Sequence, residues 1–340
     1  MDLDCRHSLF ARGNEFLGTT YPIMGGAMTW LSERNLVSAI SNAGGFGIIA
    51  CGSMQSEQLG EEIEATQKMT NKPFGVNLIL LHPDIDDLIE CCVSKKVELV
   101  VFAGGFPKKR QIELLKSKGI KTMCFATTLS IAKKMILYGI DSLVLEGSEA
   151  GGHIGPVSIN VLIQDILPEI KEVPVFVAGG IGRGEIILKF LQLGASGCQI
   201  GTRFVCATES IAHENFKKIF IKSEARNAQV SVKLDERFPI IPVRAIENSA
   251  TKEFVNEQKK LLSLIDKKKI SLREAQLEIE HFWAGSLKNA VINGDIENGS
   301  LMAGQSVSMV KEIQPVTKIF SDLLTQIDKQ LISERRNHHA

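Results

Sequence analysis

Short apolar runs alternate with amphipathic segments along the first two thirds of the chain. The runs are apolar on both faces, which is typical of parallel strands buried under crossover helices. Eight of these runs occur, at residues 22–26, 46–50, 74–80, 99–105, 121–126, 142–146, 173–180 and 197–204. Eight strand–helix units are the number that closes a barrel, so the pattern predicts a (β/α)8 TIM barrel of the α/β class.

The segments between the runs have helical periodicity. They lie at residues 33–42, 57–69, 84–95, 108–118, 130–138, 157–170 and 184–193. An open, doubly wound sheet is the alternative for such an alternation. Its dinucleotide-binding fingerprint, G-x-G-x-x-G, would follow the first strand, where this chain has GGAMTW at residues 25–30. The missing fingerprint favours the barrel.

The pattern changes after the eighth apolar run. Residues 209–222 are predicted to form the eighth barrel helix, and residues from 223 to about 243 are irregular. Helical periodicity returns at 272–292 and at 315–332. We therefore predict a cofactor-binding barrel over residues 1–222, with an irregular segment and helices over residues 223–340 that pack on it. The small residues at 294–305 could bring this loop over the barrel mouth.

Composition and charge limit the classes of partner. The 340 residues are 44% hydrophobic, and 39 Lys and Arg balance 39 Asp and Glu, so no net field attracts nucleic acid or an anionic membrane. A small-molecule partner is expected. No basic and apolar leader and no membrane-length apolar run is visible, which indicates a cytoplasmic protein. Seven scattered cysteines without a C-x-x-C pair indicate free thiols, with no metal site.

The most distinctive segment for chemistry is EGSEAGGHIG at residues 146–155, directly after the sixth run. Its glycines would let a flat ligand approach the backbone, and His153 could exchange a proton near neutral pH. A structural histidine that ties the loop is the alternative interpretation. We expect Glu146 and Glu149, which flank these glycines, to be solvated loop charges.

The ends of the seventh and eighth runs are also rich in glycine. The seventh continues as AGGIGRG at residues 178–184, and the eighth as IGTR at residues 200–203. In a TIM barrel a phosphate site is commonly made by these two loops, where exposed backbone N–H groups can bind an anion. The glycines alone could simply make tight turns. Both loops together favour a phosphate-bearing cofactor, and a glycine floor with a phosphate site suggests flavin mononucleotide (FMN).

Six segments, in this order, resemble the flavin-dependent nitronate monooxygenases and the related flavin-dependent enoyl-acyl-carrier-protein reductases. They are PIMGGAM at 22–28, PFGVN at 73–77, EAGGH at 149–153, AGGI at 178–181, GTRF at 201–204 and SLMAGQ at 300–305. The chain is also similar to the reductases at residues 72–77 and 243–246. It departs from one branch of the monooxygenases at residues 124–128, where CFATT lacks a basic residue.

The resemblance implies roles for individual residues. The flavin would lie on the segment after strand one, Asn77 would bond near the ring, and His153 would face the substrate as the catalytic group. The residues implied in cofactor binding are Gly25, Gly26, Ala27, Asn77, Gly152, Gly179, Gly180, Ile181, Gly201, Thr202 and Gln305. Of these, Gly179, Gly180, Gly201 and Thr202 would meet the phosphate.

The implied activity is FMN-dependent oxidation of alkyl nitronates by molecular oxygen. One histidine serves equally well in an enoyl-acyl-carrier-protein reductase, in which NADH reduces the flavin, so that activity stays open. A barrel that binds a phosphorylated ligand without catalysis is a third alternative. The sequence does not fix the number of subunits, and a homodimer is compatible with it.

Overall fold

The computed structural model describes residues 2–236 and 240–338. Its strands are β1 (Ile23–Gly25), β2 (Gly47–Ala50), β3 (Phe74–Ile79), β4 (Leu99–Ala103), β5 (Lys121–Phe125), β6 (Ser142–Glu146), β7 (Gly152–His153), β8 (Val175–Ala178), β9 (Gly197–Ile200), β10 (Ala228–Val230), β11 (Val243–Ile246) and β12 (Leu301–Met302). Its α-helices are α1 (Asp2–Leu17), α2 (Arg34–Asn42), α3 (Ser56–Met69), α4 (Ile85–Ser94), α5 (Lys109–Ser117), α6 (Leu129–Leu137), α7 (Ile159–Ile166), α8 (Gly184–Gln192), α9 (Thr202–Val205), α10 (Glu214–Lys222), α11 (Ser249–Asp266), α12 (Leu272–Val291) and α13 (Val316–His338). Short 3-10 helices cover Ala225–Asn227 and Gln305–Met309.

Eight parallel strands form a closed barrel, which confirms the predicted fold. Their order around the sheet is β1, β9, β8, β6, β5, β4, β3 and β2. The ring closes between β1 and β2, where Phe46 pairs with Met24. At this seam the Gly25 N–H donates to the Phe46 carbonyl at 2.9 Å, and the Phe46 N–H donates to Ile23 at 2.9 Å. Each of the eight predicted runs contains one of these strands.

Side chains alternate between two cores along each barrel strand. In β6, Val144 fills the barrel interior, whereas Leu143 and Leu145 pack outward under the helices. In β4, Val101 faces inward and Val100 outward in the same way. By this alternation, the last residue of β6 also points toward the barrel axis, at the carboxyl end of the strands where ligands bind in this fold.

The eighth outer helix of the barrel is α13, near the end of the chain. It packs against α8 on one side and α2 on the other. Phe320 of α13 stacks on Phe204 at 5.8 Å between ring centroids, and a Cβ at Gly184 would lie 2.0 Å from the Leu323 carbonyl oxygen. The prediction that residues 209–222 form this helix is therefore wrong. Residues 1–222 alone would leave that side of the barrel uncovered.

Helix α10, within the predicted range, packs elsewhere. Phe216 and Phe220 are buried in a second core that also contains Leu31, Val205 and Ala290. This core lies between the barrel and the residues after 222, so α10 joins the two parts of the chain instead of completing the ring of helices.

A small sheet and a helical hairpin follow the barrel. In the sheet, β11 pairs antiparallel with β10, β12 and β7, so the sixth barrel loop is tied to the later part of the chain. The hairpin of α11 and α12 has its own core, in which Phe254 and Trp283 lie 4.4 Å apart between ring centroids. Helices α12 and α13 match the predicted periodic segments, whereas α1 and α11 were not predicted. Among the described residues, no helix is long and apolar enough to cross a membrane.

Candidate active site

A cavity of about 820 Å³ opens at the carboxyl ends of the barrel strands. All of the predicted site residues except Gly25 and Gln305 line it. Gly25 instead faces α2, since a Cβ there would lie 2.7 Å from the Ile40 side chain. Gln305 reaches the site through its backbone, whose N–H donates to the Glu149 carbonyl at 3.0 Å. A volume of this size is typical of small-molecule and cofactor sites.

The loops after β8 and β9 make the polar end of the cavity. Gly179 and Gly180 have φ angles of +95° and +69°, which other residues adopt only with strain. The backbone N–H groups of Gly180 and Ile181 donate to no acceptor within the described part of the chain. Two adjacent unsatisfied N–H groups in such a turn fit an anionic oxygen. This supports the predicted phosphate position.

The start of α8 contributes less than the sequence suggests. The N–H of Gly184, its first residue, donates to the Gln326 side chain of α13 at 2.7 Å. A Cβ at Gly182 would lie 2.4 Å from the Met309 sulfur, so the C-terminal segment supports this loop from behind. The N–H groups of this loop without an acceptor among the described residues are therefore those of the turn, before the helix begins.

Thr202 and Gly201 close the other side of this polar end. A Cβ at Gly26 would lie 3.0 Å from the Gly201 Cα, so the β1 and β9 loops touch through their backbones. The Thr202 hydroxyl accepts from the Gly304 N–H at 3.0 Å, and its own hydrogen remains available to a ligand. The predicted approach of residues 294–305 to the barrel mouth is confirmed by this bond.

His153 is fixed by the small sheet. It lies in β7 opposite Val243 of β11, and the buried Arg244 guanidinium donates to the Ser148 carbonyl at 3.0 and 2.9 Å. These bonds hold the glycine loop against β11, so the imidazole is presented to the cavity from a supported strand. The glycine loop also packs closely against the backbone of Gly304, since a Cβ at Gly151 would lie 2.4 Å from the Gly304 nitrogen.

The His153 Nε2 atom is 3.2 Å from the Glu280 Oε2 atom of α12. The distance is that of an ion pair, but the angles do not make a hydrogen bond, and Nε2 is a buried atom without a hydrogen-bond partner. Hydrogen-bond strength depends on angle as well as distance, so this contact is not a strong hydrogen bond. Among the described residues the ring nitrogen thus lacks a hydrogen-bond partner, although it lies against the Glu280 carboxylate.

Glu146 is not a solvated loop charge, and that prediction is wrong. It ends β6, lines the cavity, and makes no hydrogen bond or ion pair with the described residues. Burial raises the pKa of its carboxyl to about 8. Glu149 is also not free in solvent, since its carboxylate accepts from the Ile159 N–H at 3.0 Å. Here the carboxylate stabilises the turn into α7.

Asn77 stands on the floor of the cavity. Only 4% of it is exposed, and its amide donates to the Val101 carbonyl of the neighbouring strand at 3.2 Å. This bond fixes the side chain in the top layer of the barrel interior. Its backbone carbonyl accepts from the Cys51 thiol at 3.0 Å. Arg203, by contrast, lies outside the cavity and donates to Gln314 at 2.8 Å.

The wall formed by α12 was missed in the sequence. Leu277, Glu280, His281 and Ala284 lie on one face of this helix and line the cavity. Their helical spacing was visible, but nothing in it indicated which surface the face would cover. The Trp30 indole N–H donates to the Ala284 carbonyl at 3.0 Å, which attaches α12 to the loop after β1.

The charge of the lining is unusual for an anion site. Among the described residues, no lysine or arginine lines the cavity. The ionisable side chains are three carboxyls and three imidazoles, from Asp84, Glu146, Glu280, His82, His153 and His281. An anion must therefore be bound by backbone N–H groups or by an imidazole. At the mouth, Leu81 and Phe106 are 40% and 49% exposed and offer an apolar surface.

Known proteins resemble this chain over nearly its whole length. A protein-family model described as nitronate monooxygenase matches residues 12–326. The structure of FabK from Thermotoga maritima is 34% identical, with a TM-score of 0.84 over 96% of this chain and 98% of that chain. A probable nitronate monooxygenase of Staphylococcus aureus is 26% identical over 94% of this chain and 97% of the relative.

A third relative is matched over part of its length. The "(3aS,4S,5R,7aS)-5-hydroxy-7a-methyl-1-oxo-octahydro-1H-indene-4-carboxyl-CoA dehydrogenase" of Rhodococcus jostii is 33% identical over 65% of this chain. The match spans 62% of that relative. The proteins that are similar to this chain are therefore named after more than one reaction.

Proposed function

The chain belongs to the nitronate monooxygenase family and is a flavin-dependent oxidoreductase, and we propose that its flavin is FMN and its substrates are alkyl nitronates oxidised by molecular oxygen. The observation that carries this proposal is the His153 Nε2 atom, which lies buried at the cavity without a hydrogen-bond partner. A buried polar atom without a partner is costly, so a ligand is expected to complete the site.

The cavity residues fit FMN. The turn at Gly179 and Gly180 and the Thr202 hydroxyl would hold the phosphate, because these residues line the cavity and the N–H groups of Gly180 and Ile181 have no acceptor among the described residues. Gly26 and Ala27 would lie along the ring system, and Asn77 would meet it from the floor. The bound flavin supplies the capacity to accept and pass on electrons, which no side chain of this site has.

His153 would act on the substrate. Its imidazolium can hold a nitronate oxygen by a charge-assisted hydrogen bond, and its neutral form can take the proton of a nitroalkane. The nearby Glu280 carboxylate, 3.2 Å away, would balance the charge of the imidazolium.

A second activity, NADH-dependent reduction of an enoyl thioester, is favoured by one observation. The cavity lining carries no lysine or arginine within the described residues and has three carboxyl groups, which suits an uncharged acyl group better than a free anion. The likeness to FabK supports this candidate. In this reaction the imidazole would stabilise negative charge developing on the thioester carbonyl.

Two assays on the FMN-loaded protein test which of the two reactions it catalyses. Oxygen uptake with propionate-3-nitronate, without NADH, is expected under the first proposal. NADH oxidation that requires a crotonyl thioester would instead support the second. Absence of both reactions in protein that binds FMN would reject both substrate classes.

A substitution tests the role of His153. His153→Ala is expected to lower kcat/KM by about 100-fold or more while FMN stays bound, in line with the typical contribution of acid–base groups. His7→Ala on the exposed face of α1 is the matched control and should be neutral. Equal turnover of the two variants would remove His153 from the mechanism.

We also propose a cytoplasmic location and a homodimer. The location is supported by the seven cysteines, all of which are free thiols. Cell fractionation tests the first proposal, and light scattering of the purified protein tests the second.

A further inference from the structure

The floor of the cavity is the top layer of the barrel interior. In β6 the inward positions are those of Ser142, Val144 and Glu146, because Leu143 and Leu145 belong to the outer core. The same alternation brings Asn77 of β3 and Gln199 of β9 to this layer, and all three polar side chains line the cavity. Glu146 is the ionisable member of the three.

The Glu146 carboxyl has no partner in the described protein. Asn77 is engaged with the Val101 carbonyl, whereas no donor, acceptor or cation of the described residues contacts the carboxyl of Glu146. The cavity does contain other titratable groups. They are His153 on β7, Glu280 and His281 on α12, and Asp84 and His82 after β3. None of these forms a hydrogen bond or an ion pair with the carboxyl of Glu146, and burial is the cause that raises its pKa.

We propose that Glu146 is a neutral carboxylic acid that donates a hydrogen bond to the flavin bound above it, and that its ionisation changes the properties of that flavin. The proposal rests on the proposed function, because it needs a flavin in this cavity. A protonated carboxyl has one donor and can serve a carbonyl or nitrogen acceptor of the ring. An ionised carboxylate cannot donate, and it would repel an electron-rich ring.

Several observations support the neutral form. The strand places the side chain toward the barrel axis, at the floor of the cavity. Its raised pKa, about 8, leaves the group mostly protonated at neutral pH. Burying the charged form without a cation or donor is unfavourable, and a ligand that covers the floor would remove further water. The surroundings of the carboxyl thus favour its protonated form.

The test is a pH titration of the visible absorption spectrum of the FMN-loaded protein between pH 6 and 9.5. The wild type is expected to show one spectral transition at or above pH 8, and Glu146→Gln is expected to lose it. Glu280→Gln, which removes a different carboxyl from the same cavity, is the matched control and should retain the transition. The same transition in Glu146→Gln, or its loss only in Glu280→Gln, would overturn the proposal.

FMN binding is measured first, by quenching of the flavin fluorescence. If no variant and no wild-type protein binds FMN, the proposed function fails, and the protonation of Glu146 is then read in the flavin-free protein. Infrared difference spectra between pH 6 and pH 9.5 should show a protonated carboxyl band that disappears in Glu146→Gln. FMN binding without a pH-dependent transition would instead refute the inference and leave the proposed cofactor standing.

Discussion

The half-buried acid at the end of β6 has a measurable effect on stability, which can be predicted without any ligand. Glu146 has a folded-state pKa of about 8, against an ordinary value of 4.5. The folded state therefore holds a proton between pH 4.5 and pH 8 that the unfolded chain releases. By linkage, stability falls as the pH rises through this window, and the loss is complete above pH 8.

The size of this loss of stability follows from the shift in the pKa of Glu146. The difference between 8 and 4.5 is 3.5, which at about 1.4 kcal/mol for each pH unit gives an upper limit of roughly 5 kcal/mol. The open cavity admits water to one side of the carboxyl, which reduces this penalty. We therefore expect about 1 to 3 kcal/mol. Glu146→Gln keeps the shape of the side chain and cannot ionise, so it escapes the loss.

Urea unfolding of the flavin-free protein at pH 5 and pH 8.5 measures this difference. Relative to the wild type, Glu146→Gln should be more stable at pH 8.5 by about 1 to 3 kcal/mol beyond any difference at pH 5. Glu149→Gln, whose carboxylate is bonded to the backbone of α7, should show no such gain at high pH. A Glu146→Gln effect that is identical at the two pH values would refute the reasoning.

Two further substitutions test the backbone and the second core. Gly179→Ala would place a Cβ 2.9 Å from the Gly147 carbonyl oxygen at a φ of +95°, and we expect at least about tenfold weaker FMN binding by fluorescence titration. Gly139→Ala, at a φ of +90° with no atom within 4 Å, should lose only about 1 kcal/mol and bind FMN normally; equal binding by both variants would contradict the predicted phosphate turn. Lys217→Met removes an ammonium that donates to two backbone carbonyls at 2.8 and 2.7 Å, and it should destabilise the protein by about 2 to 4 kcal/mol in urea. Lys218→Met removes an exposed ion pair from the same helix and should lower the free energy of unfolding by less than about 1 kcal/mol. A comparable loss of stability in both variants would show that the two buried hydrogen bonds of Lys217 do not stabilise the protein more than the exposed ion pair does.

The barrel could be predicted from sequence because its signals are local. Strands buried on both faces must be apolar at consecutive positions, and each predicted run contains a strand. Glycines at the ends of these strands also indicated the cavity correctly, since Gly26, Gly152, Gly179 and Gly201 all line it. A backbone segment that approaches a ligand closely must lack bulky side chains, and the glycines that meet this requirement can be recognised in the sequence.

The identity of the eighth helix could not be predicted in the same way. Segments 209–222 and 315–332 are both amphipathic, and periodicity shows that a face is buried without showing what covers it. The choice depends on packing between distant residues, such as Phe320 of α13 against Phe204. Chain order favoured residues 209–222 as the eighth outer helix, whereas the tertiary contacts show that the segment at 315–332 forms it.

Glu146 illustrates another limit. The alternation in β6 places it in the barrel interior, but carboxyl groups are rarely buried without a partner, so a solvated loop position was the natural expectation. Helix α12 was recognised as amphipathic, yet its place over the cavity depends on the contact between Trp30 and Ala284. The position of this helix depends on how the later part of the chain docks on the barrel.

The central claim is that the backbone turn after β8, together with Thr202, binds the phosphate of FMN. Titration of the flavin-free protein with FMN and with riboflavin tests it most directly, because the two ligands differ only in that phosphate. Two charge-assisted hydrogen bonds of about 1.5 to 3 kcal/mol each predict an affinity for FMN at least about 100-fold higher than for riboflavin. Equal affinities for the two ligands would contradict the account.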